Sequence, residues 1–173
     1  MPYFMYAQDT TRDSTQQSKI ETKLLTKGIL VRKEFIPLGI IQSKNTRLDV
    51  EILKLEDLTN TGKTYGVKIN YETSSGYSTS TKSAFIDRDE IKDVIIALKK
   101  INEEILKTVP NGYTEVIYIC RSGYQIGMYY DKSKKWQAYM RLEKYNSNSD
   151  VFLEAEALLT LQILLQQAQA KFD

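Results

Sequence analysis

Ala84-Phe-Ile-Asp-Arg-Asp-Glu-Ile-Lys-Asp-Val-Ile-Ile-Ala-Leu-Lys-Lys-Ile-Asn-Glu-Glu-Ile105 decides the fold. It reads as a strand end, a cap and an amphipathic helix. Asp87 stands where an N-cap is needed, and Glu90 follows three residues later, as in a capping box. Ile91, Val94, Ile95, Leu98, Ile101 and Ile105 recur at helical spacing, while Lys92, Lys99, Lys100, Glu103 and Glu104 fill the wet side. A related stretch closes the chain: Val151-Phe-Leu-Glu-Ala-Glu-Ala-Leu-Leu-Thr-Leu-Gln-Ile-Leu-Leu-Gln-Gln-Ala-Gln-Ala-Lys-Phe172. Laid over the first without gaps, Phe85 meets Phe152, Ile91 meets Leu158, Val94 meets Leu161, Ile96 meets Ile163 and Leu98 meets Leu165. A repeated unit accounts for that coincidence.

Upstream of each helix the pattern is that of strands and turns. Gly28–Ile36 is aliphatic and β-branched, and Pro37 and Gly39 punctuate its end. Arg47–Leu55, Tyr65–Tyr71 and Tyr77–Ile86 follow, separated by turn residues at 60–63 and 74–76. Pro110-Asn111-Gly112 ends the first unit. Thr114–Cys120, Tyr124–Tyr130 and Trp136–Leu142 form the second set, with Val151-Phe-Leu153 as a short strand into the last helix. Alternation places Trp136, Ala138, Met140 and Leu142 on one face. The fold expected is α+β: one or more antiparallel sheets covered by two helices, built from a duplicated β-β-β-α unit. Residues 24–173 then form one domain with half-repeats at 24–109 and 110–173.

The N-terminal segment is expected to be different. Met1-Pro-Tyr-Phe-Met-Tyr-Ala7 is short and apolar, and composition turns polar at Gln8. That resembles the tail of a secretory signal peptide, which puts the protein in the periplasm or outside the cell. Residues 9–23 read as a loosely held linker, since no apolar periodicity begins before Ile20.

Composition narrows the chemistry. The 173 residues carry 24 basic and 22 acidic side chains, a net charge of +2, too balanced to announce nucleic-acid binding. No stretch is apolar enough to span a membrane as a helix. Histidine is absent, which removes the commonest general base and metal ligand. The single cysteine, Cys120, lies in an apolar run and reads as a small core residue. No phosphate-binding, dinucleotide, nucleophile-elbow or zinc pattern is present. Asp87, Asp89, Glu90 and Asp93 favour a helix start rather than a calcium loop. No catalytic residue, metal or cofactor is therefore assigned.

Twelve tyrosines stand beside five phenylalanines and one tryptophan. Tyrosine suits half-buried sheet faces and adaptable interfaces. The function expected is a non-enzymatic, secreted or envelope-associated binding module for a protein, peptide or glycan. Its candidate residues are Tyr71, Tyr77, Tyr124, Tyr130 and Trp136, drawn from a wider set with Tyr65, Tyr129 and Tyr139. Two alternatives stand beside it. One is a small hydrolase using carboxylates on an envelope polymer. The other is an assembly subunit forming homo-oligomers through 158–172, because Leu158–Leu165 is apolar around most of its girth.

Overall fold

The computed structural model describes residues 17–43, 46–75 and 78–172. The Ala7 boundary and Tyr77 lie outside the described residues. A short helix α1 (Lys19–Leu25) opens the chain. Strands β1 (Val31–Ser43), β2 (Thr46–Asp57), β3 (Gly62–Ser75) and β4 (Ser78–Asp87) follow, then helix α2 (Ile91–Glu103) after one turn of 3-10 helix. Strands β5 (Thr114–Ile119), β6 (Gln125–Tyr130), β7 (Trp136–Arg141) and β8 (Asp150–Glu154) lead into helix α3 (Ala157–Phe172). Each set of four strands is an antiparallel meander in sequence order, β1-β2-β3-β4 and β5-β6-β7-β8. The fold is α+β as read, but the repeated unit carries four strands before its helix, not three.

The two units match in side-chain burial as well as order. In α2 the buried residues are Ile91, Val94, Leu98 and Ile101. In α3 Leu158, Leu161, Leu165 and Ala168 are buried at the four aligned places. The preceding strands agree too. Ala84 and Ile86 face the core, as do Val151 and Leu153, which puts Phe85 and Phe152 on the outer faces. Helical and strand periods have thus been kept in phase across both junctions.

One hydrophobic core joins the halves. Both sheets turn an inner face to it, and α2 and α3 supply the rest. Helix α3 reaches across to the first sheet: the Tyr65 and Phe172 rings lie 6.0 Å apart, and Arg88 donates to the Phe172 carbonyl at 2.6 Å. Gly39 is where the backbone comes closest. A Cβ there would stand 2.7 Å from a methyl of Leu164. The expected strand end at Pro37 and Gly39 is instead a register shift inside β1. An edge strand tolerates the proline, because its missing N–H has no ladder partner to lose. Asn102 Nδ2 donates to Gln162 Oε1 at 2.8 Å between the helices, and the Glu154 amide donates to the buried Ser43 hydroxyl at 2.8 Å between the sheets.

The loosely held linker expected over 9–23 is corrected over its described end: from Ser18 on the chain is ordered, while residues 9–16 lie outside the described residues. Ser18 is wholly buried and caps α1 by accepting from the Glu21 amide at 3.3 Å. Asp87 holds this helix end in place. It accepts from the Ser18 hydroxyl at 2.9 Å, the Lys19 amide at 2.7 Å and the Ile20 amide at 3.0 Å. Arg121 Nη1 adds a fourth bond at 3.0 Å from the second half. Glu90 accepts from the Asp87 amide and, at 2.6 Å, from the Arg121 amide. Ile20 then drops onto Gly66, on the outer face of the first sheet. A Cβ on Gly66 would lie 2.3 Å from both the Ile20 Cδ1 atom and the Ile86 carbonyl oxygen. Ile20 forms a small second core with Leu53 and Leu55, flanked by Leu24, Val31 and Phe85. The acids at the helix start thus anchor structure, and α1 covers part of the first sheet's outer face, around Leu53, Leu55 and Gly66.

Two further ion pairs pin α1, and both depend on pH. Lys23 beside Asp57, together with the Asn60 and Thr59 amides, brings the Asp57 carboxyl down to about 2. Arg121 and then Lys19 hold Asp89 at about 2 as well. A carboxyl whose folded pKa lies below its unfolded value of about 3.9 contributes its full stability above that value. The contribution disappears as pH falls towards 2. We therefore expect α1 to detach first on acidification. Amide signals of residues 19–25 should shift between about pH 4 and 2, ahead of those of β6 and β7. Simultaneous loss of all signals would contradict that order.

Candidate ligand-binding face

Among the described residues, nothing equivalent to α1 lies over the outer face of the second sheet. Pairing fixes what stands there. Three rows cross the strands from β5 to β8. The first is Glu115, Tyr129, Gln137 and Glu154. The second is Ile117, Gly127, Tyr139 and Phe152, and the third is Ile119, Gln125, Arg141 and Asp150. The middle row is apolar, and rows of polar and charged groups flank it, broken only by Tyr129 and Ile119. Phe152 is 62% exposed beside Tyr139, and Ile117 and Ile119 are 43% and 61% exposed on the opposite edge strand.

Gly127 shapes the centre. A Cβ there would stand 2.2 Å from two ring carbons of Tyr139. The Tyr139 ring therefore leans over the glycine, against the sheet. Tyr129 lies 6.4 Å away on one side, tilted by 47°. Phe152 lies 6.5 Å away on the other, tilted by 45°. The three rings form a shallow trough with Tyr139 in the middle. The depression holds about 370 Å³ and is lined also by Tyr113, Gln125, Arg141 and Asp150.

The polar groups are ordered. Arg141 and Asp150 make a two-bond fork at 2.6 and 2.8 Å. The Tyr129 hydroxyl donates to Gln137 Oε1 at 2.8 Å, and the Tyr113 hydroxyl bonds Glu115. Burial, then the Asp131 charge, raises the pKa of Tyr129. Burial and the Glu115 charge raise that of Tyr139. Both hydroxyls stay protonated at neutral pH; the Tyr129 proton is already given to Gln137, and the Tyr139 hydroxyl can donate to a ligand.

Of the five residues singled out in the sequence, Tyr77 lies outside the described residues and the other four are dispersed. Tyr124 is wholly buried, with its hydroxyl 3.1 Å from the Met140 sulfur. Tyr130 is buried, and Trp136 stacks edge-on against it at 5.5 Å while donating to the Thr108 carbonyl at 3.0 Å. Tyr71 packs against the core from the inner face of the first sheet. The cause is strand parity: Tyr130 and Trp136 share the inner face with Met128 and Ala138. Tyr129 and Tyr139, members of the wider set, come together outside. Phe152, not among the candidates read from the sequence, stands exposed beside Tyr139. Its sequence signal was the exposed parity of β8 opposite Tyr139.

Two larger depressions also carry polar groups. One, of about 650 Å³, runs between the sheets past Ser43, Trp136, Gln137, Phe152 and Glu154, and so meets the aromatic face at Phe152. The other, of about 480 Å³, contains Glu90, Asp93, Tyr118 and Cys120. Burial raises Glu90, but both its oxygens already accept backbone amides. Burial also pushes the Cys120 thiol up, out of the range in which it would form a thiolate near neutral pH. Among the described residues, no group of three or more Cys, Asp or Glu side chains is placed to hold a metal ion. No described helix is long and apolar enough to cross a membrane.

The apolar last helix is mostly accounted for. Six of its residues are buried, from Ala157 to Ala168. Leu159 and Ile163 remain exposed at 48% and 45%.

No protein-family model, no curated protein and no solved structure matches this chain.

Proposed function

We propose that this protein is a non-enzymatic binding module, and that its binding surface is the outer face of the second sheet centred on Tyr139. The observation that carries the reading is an asymmetry between equivalent places. Phe85 and Phe152 occupy the same position in the two units. Phe85 is partly buried against the cluster of Ile20, Leu53 and Leu55, whereas Phe152 is 62% exposed beside Tyr139. Aromatic side chains offer large contact area at little entropic cost, which suits a face that is empty until a partner arrives.

The hydrolase alternative needs two carboxyls poised as acid and base. Glu90 is spent on backbone amides and Asp89 on Arg121 and Lys19, which favours the binding reading. Assembly through α3 has Leu159 and Ile163 to work with, a smaller apolar area than the aromatic face.

A saturation-transfer NMR screen of small ring-bearing fragments tests the proposal. Hits should bind the wild type and vanish with the double variant Tyr139→Ala/Phe152→Ala, whose circular dichroism should be unchanged. Hits that persist in the double variant count against the face.

A further inference from the structure

We infer that the ligand of this face is a neutral, β-linked glycan chain lying along the middle row, across the strands. The inference rests on the reading of the face as a binding surface and goes on to its chemistry. A pyranose ring is apolar on its two C–H faces and polar around its rim. The face has the complementary plan: Ile117, the Gly127 gap, Tyr139 and Phe152 make an apolar strip, with hydrogen-bonding groups along both sides.

The rings accept the C–H faces. The Tyr139 ring, set against the sheet by Gly127, gives a floor, and Tyr129 and Phe152 tilt up beside it. The rim hydroxyls meet groups with fixed geometry. Gln125 and the Arg141–Asp150 fork stand on one side, and Gln137 on the other. An arginine already forked to a carboxylate is a poor receptor for a second anion, yet both partners keep spare sites for hydroxyls. The strip crosses three strand spacings of about 4.8 Å, roughly 14 Å in all, room for more than one sugar ring.

Charge selects against other occupants. The three rows carry Glu115, Glu154 and Asp150 against Arg141 alone. Lys135 stands with Glu154 at the edge of the face, and Arg141 is already committed to Asp150, so the face offers no cationic cluster to hold a phosphate backbone or an acidic polysaccharide. An extended peptide adding a strand would use a sheet edge, not this face.

The test titrates ¹⁵N-labelled protein with chitohexaose and, separately, cellohexaose, both neutral and β-linked. Saturable shifts are expected at the amides of Gln125, Gly127, Tyr139 and Phe152. Affinity should fall at least tenfold in Tyr139→Ala and in Phe152→Ala, the latter a surface change that leaves the fold intact. Ile163→Ala should bind as the wild type does. Absence of saturable binding to both hexasaccharides overturns the glycan assignment. If ring-bearing fragments still dock at Tyr139 in that case, the face survives as a site for other ligands, and a cationic peptide becomes the occupant its charge favours. Sugar binding that persists in both alanine variants overturns the assignment as well.

Discussion

Replacing Asp87 with alanine is expected to lower the unfolding free energy by roughly 3 kcal/mol, the cost of deleting one member of a buried, hydrogen-bonded ion pair. The carboxylate is wholly buried and accepts four hydrogen bonds, from Ser18, two amides of α1 and Arg121. Its removal strands two helix amides and a buried hydroxyl in a place water does not reach, and each unsatisfied group carries its own desolvation penalty. Arg121 keeps its bonds to Asp89, so the charge is not left alone, which holds the loss near the lower end of the usual range. Urea unfolding should report the loss, and amide exchange over residues 18–25 should accelerate most. A change below about 1 kcal/mol would show that the junction is solvated and that α1 is not anchored there.

Leu165→Ala should cost about 3 kcal/mol, within the range for emptying a fully buried leucine site. Leu165 is 0% exposed and belongs to the helix of the second unit. Because α3 lies against β1 and β3, the cavity should loosen the first sheet too. Hydrogen exchange in β1–β3 should rise alongside exchange in α3. Leu98→Ala, at the aligned place in α2, should cost a similar amount. Destabilisation confined to residues 110–172 would mean that the halves fold separately, against the shared core described above.

Periodicity carried most of the fold. The helical spacing from Ile91 to Ile101 located the first helix and its buried stripe, and the aligned residues Leu158, Leu161 and Leu165 located the second, whereas the aligned pair Ile96 and Ile163 is exposed on both helices. Alternation in 65–71 and 136–142 gave the correct inner faces. Two things were hidden because they depend on partners distant in sequence. Ser18 and Ile20 look like linker residues until Asp87, sixty-nine positions from Ser18, supplies the acceptors that end a helix. Pro37 and Gly39 look like a strand end until one sees an edge strand that bulges beside Leu164.

The proposed binding face was half legible. An excess of tyrosine pointed to a sheet surface, but composition does not say which parity is covered. Tyr124, Tyr130 and Trp136 fell inward because the inner residues of β6 and β7 meet the helices. Tyr139 became available because a glycine stands opposite it, and Phe152 because nothing equivalent to α1 lies over it among the described residues. Neither condition can be read from a strand taken alone. Nor does either sequence half show that its outer face differs from the other's. The difference arises from seven residues at the N-terminus that dock on the first sheet.

The most direct test of the account is an amide chemical-shift map of the wild-type protein with a ligand from the fragment or hexasaccharide series. The account predicts shifts confined to the outer rows of β5–β8, strongest at Gly127, Tyr139 and Phe152, with α1 and β1–β4 unaffected. Shifts centred instead on the groove past Ser43 and Trp136, or on Leu159 and Ile163 of α3, would contradict it.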